Sequence, residues 1–225
     1  RTGVAGPENP SAIPFRFASS HTIASADSQT SPREHESAES ESLKRARKAV
    51  LFGWADLGAG RTAEAKARLG EVEPLVSRIG QAEGEYTVFR YQLLRAETAL
   101  AGGDVDRAVI YGREAVWPNF PNMNTPVLAS YNLPFLKDVL ARALWKKGDL
   151  DGAVAEYREL TTIDPSSQVR WMISPLYHYR LGRVLEEKGD KAGAAVEYRK
   201  FLEYWKDADP THPELGDARK RLAAL

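Results

Sequence analysis

The chain has 225 residues, 43% of them hydrophobic, enough for one domain or one short repeat array around a substantial core. Lys and Arg number 31 and Asp and Glu 31, so bulk electrostatic attraction to nucleic acid or to an anionic membrane is excluded, and neither partner is expected. There is no Cys, which excludes disulfides and thiolate chemistry, and no apolar run approaches the ~18–20 residues of a membrane span.

Residues 1–42 are rich in Ser, Ala, Pro and Glu, lack a helical period, and read as an extended or flexible arm. Within them Ile13, Phe15 and Phe17 alternate with Pro14 and Arg16, the period of an extended segment with one apolar face. Such a face could latch onto a neighbouring subunit, giving self-association through the arm. The chain starts at Arg1 rather than Met, so a removed leader or an upstream domain stays open. A soluble chain is expected, with the cytoplasm favoured and an extracytoplasmic location compatible with that start.

From Leu43 onward apolar residues recur every three or four positions, and alternating β-branched runs are missing. Helices are expected near 42–58, 62–79, 84–101, 105–117, 134–147, 151–163, 175–188, 191–206 and 213–224. Ser174 before Pro175 reads as an N-cap and first helical residue, and His212 before Pro213 repeats the arrangement with a weaker cap.

Four segments align on a glycine: AGRTAEAKARL (59–69), GGDVDRAVIYGREA (102–115), KGDLDGAVAEYREL (147–160) and KGDKAGAAVEYRKFL (188–202). Each has an Ala five positions on, namely Ala65, Ala108, Ala153 and Ala194, and the last two add Tyr157 and Tyr198. Gly60, Gly103, Gly148 and Gly189 suit a left-handed turn between two helices. Asp104, Asp149 and Asp190 can accept hydrogen bonds from the amides that open the second helix. The Ala lets paired helices close up, and the Tyr fills the gap to the next pair.

These residues resemble the tetratricopeptide repeat, most closely at 134–167, with Ala141, Ala153, Tyr157 and Pro165 at family positions. A second copy spans 175–210, with Leu181, Gly182, Ala194, Tyr198 and Pro210, and residues 46–79 and 89–117 read as degenerate copies. The turn glycines lie 43, 45 and 41 residues apart, against a usual repeat of ~34, so loops or helices are extended. Residues 177–225 are similar to the tail of the repeat region in multidomain bacterial signalling proteins. The resemblance implies an all-α, right-handed superhelix of about four helix pairs, with 213–224 as a capping helix. Leu215, Ala218, Leu222 and Leu225 of that helix would face inward, and Asp217, Arg219, Lys220 and Arg221 largely face water.

A search for chemistry finds no constellation. His21, His35, His178 and His212 lack metal-ligand spacing, and His178 is expected to pack. Gly58 and Gly60 suggest a helix turn rather than a phosphate loop. Glu186 with Glu187, and Asp207 with Asp209, read as solvated. Trp145, Trp171, Tyr177, Tyr179, Tyr204 and Trp205 are expected to pack between repeats rather than stack bases. No enzyme, cofactor or metal is expected.

The family resemblance implies instead a groove lined by the first helix of each pair. Transferred position by position, its candidates include Trp54, Arg90, Glu97, Asp138, Arg142, Trp145, Tyr179 and Arg183, and the Arg, Trp and Tyr among them are types that dominate many interfaces. The Lys/Asn pattern of chaperone-tail clamps is absent, with Val139 and Arg180 at one of its positions. The reading is a non-catalytic scaffold for protein or peptide partners, possible as the docking region of a bacterial signalling protein. The alternative is a structural subunit of a larger complex or polymer latched by its arm. Reversing Arg142 and Arg183 to Glu is expected to lower affinity with little change in melting temperature.

Overall fold

A computed structural model describes residues 32–79, 81–115, 138–162 and 173–225. Among them the chain forms α1 (Pro32–Gly58), α2 (Thr62–Val72), a 3₁₀ turn (Glu73–Arg78), α3 (Gln81–Ala101) and α4 (Val105–Glu114). It continues with α5 (Val139–Lys147), α6 (Leu150–Thr161), α7 (Pro175–Glu187), α8 (Lys191–Tyr204) and α9 (Pro213–Ala224). The described residues therefore form an all-α helical-repeat solenoid. The arm residues Ile13, Phe15 and Phe17, and Phe135, Pro165 and Trp171, lie outside the described residues.

Two helix boundaries differ from the expectation by seven residues or more. Helix α1 starts at Pro32, ten positions before Ser42, in a stretch of mostly polar sequence. The same polarity hides that stretch from a reading based on apolar period. The second helix ends at Val72, not near 79, because Pro74 brings no amide to the ladder and the chain tightens into the 3₁₀ turn.

The four turns are built alike. Gly60, Gly103, Gly148 and Gly189 have φ of 76°, 83°, 87° and 90°, conformations that a side chain would strain. After each, the next amide reaches back five residues: Arg61 N to Asp56 O at 2.8 Å, Asp104 N to Ala99 O at 2.9 Å, Asp149 N to Leu144 O at 3.0 Å and Asp190 N to Leu185 O at 2.9 Å. Asp104, Asp149 and Asp190 then accept from the amides of Arg107, Gly152 and Gly193 at 3.1, 2.9 and 2.9 Å. At the first turn Arg61 stands in place of Asp, makes no cap bond, and donates from Nε to Asp56 Oδ1 at 3.0 Å instead. Ala65, Ala108, Ala153 and Ala194 are all fully buried, as the repeat register requires.

Small residues also recur seven positions before each turn glycine: Gly53, Ala96, Ala141 and Gly182, all buried. A Cβ at Gly53 would stand 2.5 Å from Leu94 Cδ2, and one at Gly182 would stand 2.8 Å from Tyr198 Cε1. Backbone here approaches a neighbouring side chain closely, so the small residue sets the packing distance.

Hairpins α1–α2, α3–α4, α5–α6 and α7–α8 stack in series, each second helix packing on the first helix of the next pair, and α8 on α9. One core runs from Phe89 of α3 to Ala218 of α9. A smaller one holds Leu43, Val50, Val72 and Leu75 together and reaches α3 through Tyr91, with Trp54 packed against both. The C-terminal end is covered by α9, where Leu215 and Ala218 are buried and Leu222 and Leu225 pack on the core. The opposite end leaves Leu51 and Phe52 exposed on α1, with the Lys48 and Arg68 cations over the Phe52 ring.

Three local expectations are corrected. Ser174 does occupy the N-cap and Pro175 the first position of α7, but the Ser174 side chain makes no cap bond. The amide it would serve, that of Tyr177, already donates to the Ser174 carbonyl at 2.9 Å. Asp217 and Arg221 do not face water alone: they lie on the edge of α9 toward α7 and bond there. Tyr204, expected to pack, is 60% exposed, with its ring 5.3 Å from that of His178.

Candidate partner-binding face

Helix α3 packs against both α1 and α5, and side chains join α5 to α7, so the first helices lie next to one another along one face. A polar ladder crosses it. Arg142 of α5 donates to Glu97 of α3, and its Nε donates to Asp138 Oδ1 at 3.0 Å. Arg180 of α7 donates to Asp138 Oδ2, which also accepts from the Tyr157 hydroxyl at 3.3 Å.

Asp138 is fully buried, so it lies beneath the face rather than on it. It sits at the N-cap of α5 yet makes no cap bond, because its carboxylate is turned across the repeat boundary to two guanidiniums. Burial pushes the Glu97 carboxyl above its ordinary range, against the pull of Arg142. Burial also opposes the charge on Arg142, but Asp138 and Glu97 outweigh it and hold the guanidinium protonated. Burial, reinforced by Asp138, pushes the Tyr157 phenol up. Arg142 therefore braces α3 against α5, and its reversal to Glu would set a third carboxylate beside Glu97 and Asp138. The thermally silent double reversal expected from the sequence is replaced by a destabilising one.

Further along, Trp145 Nε1 donates to Glu187 Oε2 at 2.7 Å, tying α5 to α7 a second time. The Arg183 guanidinium lies 5.4 Å from the Trp145 ring centroid and 6.0 Å from that of Tyr179, and donates to the Tyr179 hydroxyl at 3.3 Å. Tyr179 in turn donates to Asp217 Oδ2 at 2.7 Å. Arg221 donates from Nε to Asp217 at 2.6 Å and from Nη1 to Glu186 at 3.1 Å, and Glu186 accepts from the Tyr198 hydroxyl at 2.7 Å. Burial alone would raise the Glu186 and Asp217 carboxyls; the phenols and Arg221 outweigh it and hold both below the usual range.

At the other end Trp54 and Arg90 are partly exposed, but Trp54 Nε1 and Arg90 Nε are buried without a hydrogen-bond partner among the described residues. The Arg90 guanidinium lies 5.5 Å from the Tyr86 centroid. The structure thus joins Glu97, Asp138 and Arg142 in one network and Trp145, Tyr179 and Arg183 in another, with Trp54 and Arg90 outside both. Sequence reasoning missed Arg180 as a partner of Asp138, and it missed Gly53 and Ala96. The latter pair was visible in the spacing to the turn glycines.

Away from this face, His178 Nδ1 lies 2.6 Å from Glu197 Oε2 in the core, and Lys200 Nζ lies 2.8 Å from Glu197 Oε1. Among the described residues no group of three or more His, Asp or Glu could hold a metal ion, and no helix is long and apolar enough to cross a membrane.

Two family models, both described as tetratricopeptide repeat, match residues 138–167 and 177–208. The chain carries tetratricopeptide repeats. These matches fall on the third and fourth hairpins, and the first two share their left-handed turn glycine and buried Ala. No curated protein matches the chain. Tetratricopeptide repeats are protein-interaction modules.

Proposed function

We propose that the chain is a non-catalytic scaffold whose first-helix face takes up a segment of a partner protein, across α3, α5 and α7. The observation that carries this reading is the division of labour on the face. Glu97, Asp138, Arg142 and Arg180 hold the helices in fixed register, which leaves Trp145, Tyr179 and Arg183 partly exposed beside them. A pre-fixed surface loses little entropy on binding, and Trp, Tyr and Arg are the residue types that most often carry interface energy. In its finer form the proposal makes this face the docking region of a bacterial signalling protein.

The test is selection of binders from a random peptide display library on the full chain, followed by mapping of each binder by amide chemical-shift perturbation. Shifts clustered on α3, α5 and α7 around Arg183 are expected. Binders that map to the exposed sides of α4, α6 and α8, or no binders at all, would contradict the reading.

A further inference from the structure

Resting on that reading of the face, we infer that its ligand is an acidic peptide segment, one of whose side-chain carboxylates seats on Arg183 between Trp145 and Tyr179. Formal charges along the face nearly cancel, so net charge does not select the ligand. Hydrogen-bonding capacity does. Glu97 and Asp138 are taken by Arg142 and Arg180, Glu186 by Tyr198 and Arg221, and Glu187 by Trp145. Every one of these carboxylates except Glu187 is thus already paired with a cation.

Arg183 stands differently. Of the five N–H donors of its guanidinium, one makes a 3.3 Å contact with the Tyr179 hydroxyl, and no carboxylate of the described residues lies within ion-pair distance. The Trp145 ring braces the cation without occupying its N–H groups, and Tyr179 takes one of them. A planar fork held in place and partly exposed matches a carboxylate in bidentate geometry, whereas a peptide carbonyl or a carboxamide offers it a weaker single acceptor. Arg90 repeats the arrangement on α3, over Tyr86 and with no carboxylate of the described residues in reach. Because α5 separates α3 from α7, a segment that engages both cations runs across the first helices and carries more than one acidic residue.

The experiment uses the full chain and a short fluorescein-labelled peptide of alternating Glu and Leu, with Gln and Lys versions of the same peptide, read by fluorescence anisotropy. The Glu peptide is expected to bind at least about tenfold tighter than the Gln peptide, as charge-assisted hydrogen bonds require. Arg183→Gln should remove about that factor, Arg183→Lys should fall between, and Arg199→Ala, on the exposed side of α8, should leave binding unchanged. Thermal melts establish that each variant is folded, and Arg90→Gln gives a second, smaller loss should Arg183→Gln prove unstable. Equal binding of the Glu and Gln peptides overturns the acidic preference while segment binding stands. Displacement of the Glu peptide by single-stranded DNA of equal charge overturns it in favour of a general polyanion surface. No binding by any of the three peptides overturns the underlying reading of the face.

Discussion

Asp138→Ala is expected to cost about 3 kcal/mol of stability, toward the lower end of what removing one partner of a buried ion pair costs. The carboxylate is fully buried and accepts from Arg142, Arg180 and the Tyr157 hydroxyl. Its loss leaves two guanidiniums facing each other across the boundary between α5 and α7. The Arg142 and Arg180 side chains are 28% and 29% exposed, so water can recover part of their solvation, which keeps the cost below that of a sealed pair. For a domain of this size the melting temperature should fall by about 6–12 °C. Asp149→Ala, which removes a single exposed cap bond, serves as the reference at about 1 kcal/mol. Thermal unfolding followed by circular dichroism decides it, and an Asp138→Ala loss no larger than that of Asp149→Ala would show that the ladder does not brace the array.

Gly182→Leu and Gly216→Leu are expected to change stability in opposite directions, although both place Leu inside a helix. In propensity alone Leu gains about 0.5–1 kcal/mol over Gly. At Gly216 a Cβ meets nothing within 4 Å, so that gain should be realised. At Gly182 the new Cβ falls 2.8 and 2.9 Å from Cε1 and Cδ1 of Tyr198. That ring cannot yield: it is fully buried, and its hydroxyl is anchored to Glu186 at 2.7 Å. Overpacking should outweigh propensity and leave a net loss of about 2–3 kcal/mol. Denaturant midpoints measure both, and a Gly182→Leu midpoint at or above the parent value would mean that α7 and α8 are not packed through this contact.

The turn glycines show where the sequence was readable. A turn glycine, a cap Asp one position later and an Ala four positions after that sit within six residues, so local geometry writes them into the chain. The equivalence of Ala65, Ala108, Ala153 and Ala194 follows from that spacing, and all four are buried as expected. What joins one repeat to the next is not local. Arg180 lies 42 residues from Asp138, Arg142 lies 45 from Glu97 and Arg221 lies 35 from Glu186, and no periodicity assigns one carboxylate to one guanidinium at such distances. Family positions put Asp138 on the groove because they count residues along a helix. They carry no information about a carboxylate that turns inward to satisfy two cations. The start of α1 was missed for a related reason: residues 32–42 have helix-forming chemistry without an apolar stripe, and a pattern search responds to the stripe.

First helices of successive hairpins adjoin in fixed register, and the Glu97–Arg142 contact between α3 and α5 probes that register. A double-mutant cycle of Glu97→Ala and Arg142→Ala, read by equilibrium unfolding of the full chain, should give a coupling energy of about 1–2 kcal/mol. Additive single losses, with a coupling of about 0.3 kcal/mol or less, would contradict the stacked register on which the binding face depends.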